Sequence, residues 1–205
     1  MSNLEHLDRV TAEVAAIVGQ VRENQLDLRT ACSEWNVREV VNHLAHGALI
    51  AAAWVTGQAE PDEEDHLGSD VRGGFEATAK EIRIVFGAPG FLDRTIESPL
   101  GSLPGRMLIA SRINELLVHG WDIADATGQS TDLEPGLAEQ ALAQWKAHLG
   151  DSPRQATVPS RRRSSHRAMR AQQTHLRLSW AASPRVPDDS SPGQPWTRIA
   201  VPAAY

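Results

Sequence analysis

Five segments within the first 150 residues repeat apolar side chains at spacings of three and four, and this pattern limits the fold more than any other feature. Such spacing places the apolar side chains on one face of an α-helix. The connections contain Gly and Pro, with room for one short extended piece between the third and fourth segments. We therefore expect an all-α antiparallel bundle, with helices over residues 3–24, 36–57, 70–86, 104–128 and 135–149.

The second and fourth helices have clear boundary signals. Asn36 is a favourable N-cap, and Glu39 stands three residues later, as in a capping box. Gly57 is a plausible end for this helix. Pro104 fits the first turn of the fourth helix, which should run to Gly128.

Bulk composition excludes several classes of protein. The net charge is −6, which does not suit a nucleic-acid binder, and the single cysteine, Cys32, allows neither an intrachain disulfide nor a cysteine-based zinc site. The N-terminus resembles no secretory signal, and no apolar run approaches the roughly 20 residues of a membrane span. We expect a soluble cytoplasmic protein without nucleic-acid or membrane partners.

The sequence changes character after residue 150. Residues 1–150 hold 11 Lys/Arg and 23 Asp/Glu, a net charge of −12, whereas residues 151–205 hold 9 and 3, a net charge of +6. This second part is rich in Pro, Ser and Arg and lacks sustained periodicity, so we expect a mostly disordered basic tail after a bundle of residues 1–150. A shifted reading frame would produce such a change, and translating the other two frames after codon 150 tests that hypothesis.

The stretch "INELLVHGWD" places Glu115 and His119 on one face of the otherwise apolar fourth helix. A helix that is apolar nearly all round is expected to be buried, and a buried carboxylate needs a partner or a cation. Taken alone, the pair is explained by an ordinary Glu–His ion pair at the edge of the core. The alternative is that both residues bind a divalent metal ion.

The second helix strengthens the metal hypothesis. In "VVNHLAHGA", His43 lies among apolar residues that should face inward, and His46 follows one turn later. His43, Glu115 and His119 would together form a two-His, one-Glu site with open positions. Zinc is the expected metal, and nickel, iron and manganese are alternatives.

Two stretches carry a family resemblance. "LRTACSEWNVREVVNHLAHG" and "SPLGSLPGRMLIASRINELLVHGWDIADATGQ" resemble the two signatures of the mycothiol-dependent maleylpyruvate isomerase N-terminal domain family, within the DinB-like metal-binding bundles. The resemblance covers about residues 5–150. The isomerases carry an additional C-terminal domain, so this chain is similar to the short form that lacks it.

The resemblance implies a DinB-like up-down four-helix bundle, here with an additional C-terminal helix, and a metal bound by His43, Glu115 and His119. These are the residues that helical spacing selected independently. Asp122 could accept the second imidazole N–H of His119, and His46 could be a fourth ligand that closes the site.

Three functions remain open at this stage. In the first, the metal activates a low-molecular-weight thiol such as mycothiol for transfer or isomerisation on a small electrophilic substrate. In the second, metal-activated water hydrolyses a substrate, with Asp122 moving the proton. The third is a non-catalytic module that binds a metal or a small ligand.

Ordinary roles are expected for the other conspicuous side chains. Cys32 has no His or Asp partner near it in sequence, which favours an incidental cysteine over a nucleophile. Asn42 is assigned no role. We expect Arg106 and Arg112 to be solvated. Three tryptophans are expected to have packing roles, namely Trp35, Trp54 and Trp121.

Overall fold

Four long helices form the described part of the chain, which in the computed structural model comprises residues 3–32, 35–99 and 101–139. Two short 3-10 turns and one β-hairpin lie between them. The bounds are α1 Asn3–Gln20, α2 Val37–Thr56, α3 Val71–Phe86 and α4 Gly105–Thr127, with 3-10 turns at Glu23–Gln25 and Phe91–Asp93 and strands β1 Thr95–Ser98 and β2 Gly101–Pro104.

The helices pack as an up-down bundle. Helix α2 contacts α3 and α4, and α1 contacts α4 and α3, so the four surround a common core. Fully buried aliphatic and aromatic side chains from every helix fill it, among them Val10, Val14, Leu44, Phe75, Phe86, Ile109 and Leu116. The predicted all-α up-down four-helix bundle is confirmed.

Capping fixes where α2 begins. The Asn36 side chain accepts a hydrogen bond from the Glu39 N–H at 2.9 Å, and the Glu39 carboxylate accepts one from the Asn36 N–H at 2.9 Å. The helix ends at Gly57, whose φ of 72° is left-handed. This predicted capping box sets His43 on the second turn of α2.

The connection from α3 to α4 contains the short extended piece. Strands β1 and β2 pair antiparallel, with Ile96 opposite Leu103, and both of these side chains are buried. Pro104 stands immediately before the first residue of α4 and not inside its first turn. The hairpin therefore delivers α4 to the bundle with a fixed starting point.

Close packing of α1 against α4 depends on a glycine beside the candidate site. A Cβ at Gly120 would lie 2.7 Å from Val14 Cγ2 and 2.8 Å from Leu133 Cδ2. Because real side chains do not approach so closely, only glycine fits between these helices next to His119.

Some predictions lie outside the described residues. Of the fifth helix, residues 135–139 are helical and the remainder falls beyond them, as do the division at residue 150 and the whole tail, 151–205. Among the described helices, none is long and apolar enough to cross a membrane.

Candidate metal centre

Helices α2 and α4 bring His43, Glu115 and His119 together around one carboxylate oxygen. Glu115 Oε2 lies 3.1 Å from His43 Nε2 and 3.4 Å from His119 Nε2. The α2–α4 crossing creates this group, since 72 residues separate His43 from Glu115. The three residues selected from the sequence are therefore neighbours in space.

The spacing of these atoms suits a small divalent ion. Ligand atoms around a tetrahedral zinc ion, with bonds of about 2.0–2.2 Å, lie about 3.3–3.6 Å apart. The three donor atoms already lie within 4.8 Å of one another. Side-chain exposures of 25% for Glu115 and 19% for His43 show that one side of the group is open.

Trp35 forms a wall of the group. This side chain is buried, and its ring centroid lies 4.7 Å from that of His43 and 6.0 Å from that of His119. The predicted packing role of Trp35 is confirmed, and its indole packs against the His43 ring.

The pKa values of the three residues shift in different directions. Burial alone would raise the pKa of Glu115, but hydrogen bonds with His119 and His43 outweigh burial and hold that pKa well below its usual range. Burial lowers the pKa of His43. Burial also acts to lower the pKa of His119, but hydrogen bonds to Asp122, Cys32 and Glu115 raise it well above the ordinary value. Charge and hydrogen bonds thus hold the three side chains together.

Asp122 and Cys32 lie at the other nitrogen of His119. The fully buried Asp122 accepts a hydrogen bond at Oδ2 from His119 Nδ1 at 2.9 Å. The Cys32 thiol donates to the same oxygen at 3.3 Å, and its Sγ lies 3.9 Å from His119 Nδ1. These contacts direct His119 Nε2 towards Glu115.

Cys32 has no His or Asp partner near it in sequence, but in three dimensions it lies against His119 and Asp122. The chain folds it against residues 87 and 90 positions away, which no local pattern could indicate. Burial raises the pKa of its thiol. Cys32, His119 and Asp122 also lie close enough to hold a metal ion, but that group would use His119 Nδ1, which already donates to Asp122.

Arg112 is buried, and the expectation of a solvated arginine is wrong. Only 6% of the residue is exposed, and its guanidinium donates to the Leu44 carbonyl of α2 at 2.5 Å. Burial lowers the pKa of Arg112 to about 10, and Glu115 opposes that shift.

His46 does not join this group among the described residues and pairs instead with His66, a residue that the sequence did not single out. Its Nδ1 lies 2.8 Å from His66 Nε2, and the two rings stack at 5.0 Å. Burial, then the neighbouring His66, lower the pKa of His46 to about 4. Asn42 holds the loop that carries His66, because its side chain accepts from the His66 N–H and donates to the Glu64 carbonyl. Asn42 therefore has a role that the sequence did not suggest.

Of the remaining expectations, the one for Trp121 is wrong and those for Trp54 and Arg106 are confirmed. Trp121 is 41% exposed, so its expected packing role is wrong, whereas Trp54 packs at the edge of the core and donates to Glu60 at 2.8 Å. Arg106 is solvated as expected, and it lies 3.4 Å from Asp93.

Comparison with known proteins identifies the family. The mycothiol maleylpyruvate isomerase N-terminal domain model matches residues 7–124, and the chain belongs to this family. The uncharacterized proteins Rv0738 and MT0763, from two strains of Mycobacterium tuberculosis, are each 37% identical to it over 136 residues, which are 66% of this chain and 73% of theirs.

A solved structure has the same fold. The crystal structure of the mycothiol-dependent maleylpyruvate isomerase aligns with a TM-score of 0.56 and 14% identity, over 71% of this chain and 70% of that chain. The predicted family is therefore confirmed by a family model and by the fold.

Proposed function

We propose that the protein binds one divalent metal ion through His43, Glu115 and His119 and uses it to activate a low-molecular-weight thiol. The thiol would attack a small electrophilic substrate in a transfer or an isomerisation. The observation that carries this proposal is the convergence of two imidazole nitrogens on one carboxylate oxygen, at 3.1 and 3.4 Å.

The donor set supports a metal ion and favours zinc. Two imidazoles and a carboxylate with one open position form a common catalytic zinc site, and the same donors also suit nickel, iron and manganese. The separations of 3.1 and 3.4 Å from Glu115 Oε2 to the two imidazole nitrogens are close to those between ligand atoms around zinc. No fourth His, Cys, Asp or Glu joins these three within the described ranges.

Family membership supports a thiol as the activated group. The chain belongs to a family named for mycothiol maleylpyruvate isomerase, so mycothiol is the thiol that we propose. When bound, a divalent ion would lower the pKa of a thiol and so supply a thiolate at neutral pH.

The surrounding residues would orient the site. Asp122 holds His119 Nδ1, so that Nε2, which faces Glu115, would be the nitrogen that binds a metal. Trp35 shields the imidazoles on one side, and the partial exposure of Glu115 leaves a path for ligands.

The two other functions have weaker support. A hydrolase needs a base beside the open position, but Asp122 is fully buried and occupied by His119 and Cys32. A closed, non-catalytic module would need a fourth protein ligand, and His46 is paired with His66 instead.

Cobalt substitution tests the proposal. Adding mycothiol to the cobalt-loaded protein should produce a thiolate-to-cobalt charge-transfer band, in the wild type and in a Cys32→Ser variant that removes the protein's own thiol. Glu115→Gln should weaken cobalt binding and the band together. Cobalt bound without any band on addition of mycothiol would rule out the thiol function and leave hydrolysis or simple binding.

A further inference from the structure

The guanidinium of Arg112 is a buried cation with almost no protein partner. The residue is 6% exposed, and the Leu44 carbonyl at 2.5 Å is its one acceptor in the described part of the chain. It forms no ion pair with any described residue. An arginine side chain has five N–H donors, so most of its hydrogen-bonding capacity is free.

Arg112 lies close in sequence to a candidate metal ligand on α4, and its acceptor lies close to another on α2. On α4 it precedes Glu115 by three residues, and its acceptor on α2, Leu44, directly follows His43. Burial lowers the pKa of Arg112 and Glu115 raises it, and Arg112 adds to the effect of burial in lowering the pKa of His43. The cation is therefore next to the group and not elsewhere in the core.

Gly47 makes room for the guanidinium. A Cβ at Gly47 would lie 3.3 Å from the Arg112 side chain at Nη1, which is tighter than ordinary contact. With glycine at this position, the planar end of Arg112 lies against the backbone of α2. A planar guanidinium binds a carboxylate through two parallel hydrogen bonds.

Charge balance indicates the kind of ligand. The Arg112 guanidinium carries one positive charge, and no described residue forms an ion pair with it. A carboxylate would neutralise this charge. A phosphate, with about −1.5 to −2 at neutral pH, would exceed it.

We propose that Arg112 binds a carboxylate group of the electrophilic substrate and so selects carboxylate-bearing substrates at the metal site. This proposal rests on the proposed function, because it places the substrate beside the bound ion. Arg112 acts here as a specificity-determining residue.

A matched pair of small thiols tests the proposal without measuring turnover. 3-Mercaptopropionate and its amide differ only in the carboxylate, and both can place sulfur on cobalt. The full-length cobalt-loaded protein is titrated with each thiol, and the charge-transfer band gives the two dissociation constants. We expect the wild type to bind the acid more tightly than the amide, by about tenfold to 100-fold, as for a hydrogen bond between charged groups.

Variants assign that preference to Arg112. Arg112→Met should bind cobalt and the amide normally and lose the preference for the acid. Arg112→Lys keeps the positive charge but lacks the planar guanidinium, and it should retain part of the preference for the acid. This variant also tests the proposal if Arg112→Met does not fold. The control is Arg106→Met, an exposed arginine on the same helix, which should keep the full preference.

The possible outcomes separate the role of Arg112 from the proposed function of the metal site. If the cobalt-loaded wild type binds the acid and the amide with equal affinity, the role of Arg112 is overturned and the proposed function is left intact. A preference for the acid that persists in folded Arg112→Met would do the same. A wild-type protein that binds no cobalt would overturn both proposals.

Discussion

Replacing Asp122 with Asn tests how strongly the surroundings of His119 determine metal binding. The wild-type carboxylate is fully buried, and its Oδ2 accepts from His119 Nδ1 and from the Cys32 thiol. Its second oxygen, Oδ1, is buried without a hydrogen-bond partner in the described part of the chain. The substitution changes one heavy atom and removes the charge, so packing is almost preserved.

Neither orientation of the new amide restores the wild-type arrangement. If its oxygen faces His119, its NH2 group takes the buried position of Oδ1, an atom that has no hydrogen-bond partner among the described residues. If its NH2 faces His119, the imidazole must place its proton on Nε2, and that tautomer cannot bind a metal through Nε2. We expect a 10- to 100-fold loss of zinc affinity, or about 1.4–2.8 kcal/mol.

Competition titrations with a chromogenic zinc chelator would measure this loss. Asp125→Asn is the matched control, because Asp125 lies on the same helix and is exposed, and its zinc affinity should equal that of the wild type. Thermal unfolding of the metal-free variants would show whether Asp122→Asn is folded. An unchanged zinc affinity in folded Asp122→Asn would refute the role assigned to the contact between Asp122 and His119.

Three further predictions concern residues around the site. Gly120→Ala should destabilise the fold by about 1–3 kcal/mol in urea unfolding, because its Cβ would clash with Val14. The control Gly136→Ala should not destabilise the fold, because a Cβ at that position meets no neighbour. Equal stabilities of the two variants would contradict the packing described. Cys32→Ser should reduce zinc affinity less than Asp122→Asn, because the hydroxyl can still donate to Asp122; a larger loss in the chelator titration would indicate that sulfur itself binds the metal. Because the folded-state pKa of His46 is about 4, below its ordinary 6.5, the stability it contributes is present above pH 6.5 and is lost as pH falls towards 4. Urea unfolding at pH 7 and pH 4 should therefore show the wild type losing up to about 3 kcal/mol more than His46→Gln, and an equal loss would show that His46 is not held neutral.

The sequence predicted the helices because their signals are local. Apolar spacing and capping residues depend on neighbours within one or two turns, and Asn36 and Gly57 bound α2 as expected. The first helix was predicted to reach residue 24 and ends at Gln20, with a 3-10 turn at Glu23–Gln25. The ends of helices are harder to predict than the helices themselves, because the last turn is often a 3-10 turn formed by residues that also suit an α-helix.

The three candidate ligands were predictable for a similar reason. Each is a polar residue on an apolar helical face, which is unusual enough to stand out. Their convergence, however, depends on the α2–α4 crossing, which periodicity does not fix. The family resemblance supplied that information.

The missed contacts depend on the tertiary fold. Cys32 meets Asp122 across 90 residues, and His66 reaches His46 from an irregular loop. Arg112 was expected in solvent because arginine usually is, but the space beside Gly47 on another helix accommodates it. Trp121 was expected to pack because of its size, yet its position on α4 faces outward.

The most direct test of the account is the metal content of the purified full-length protein. Elemental analysis after reconstitution with zinc should find about one divalent ion per chain in the wild type and in a His6→Ala control, a histidine on α1 outside the group. His43→Ala and His119→Ala should each lose that ion while remaining folded by circular dichroism. A wild-type protein without metal after reconstitution with zinc, nickel, iron and manganese would contradict the account, and the three residues would then form only a buried polar cluster.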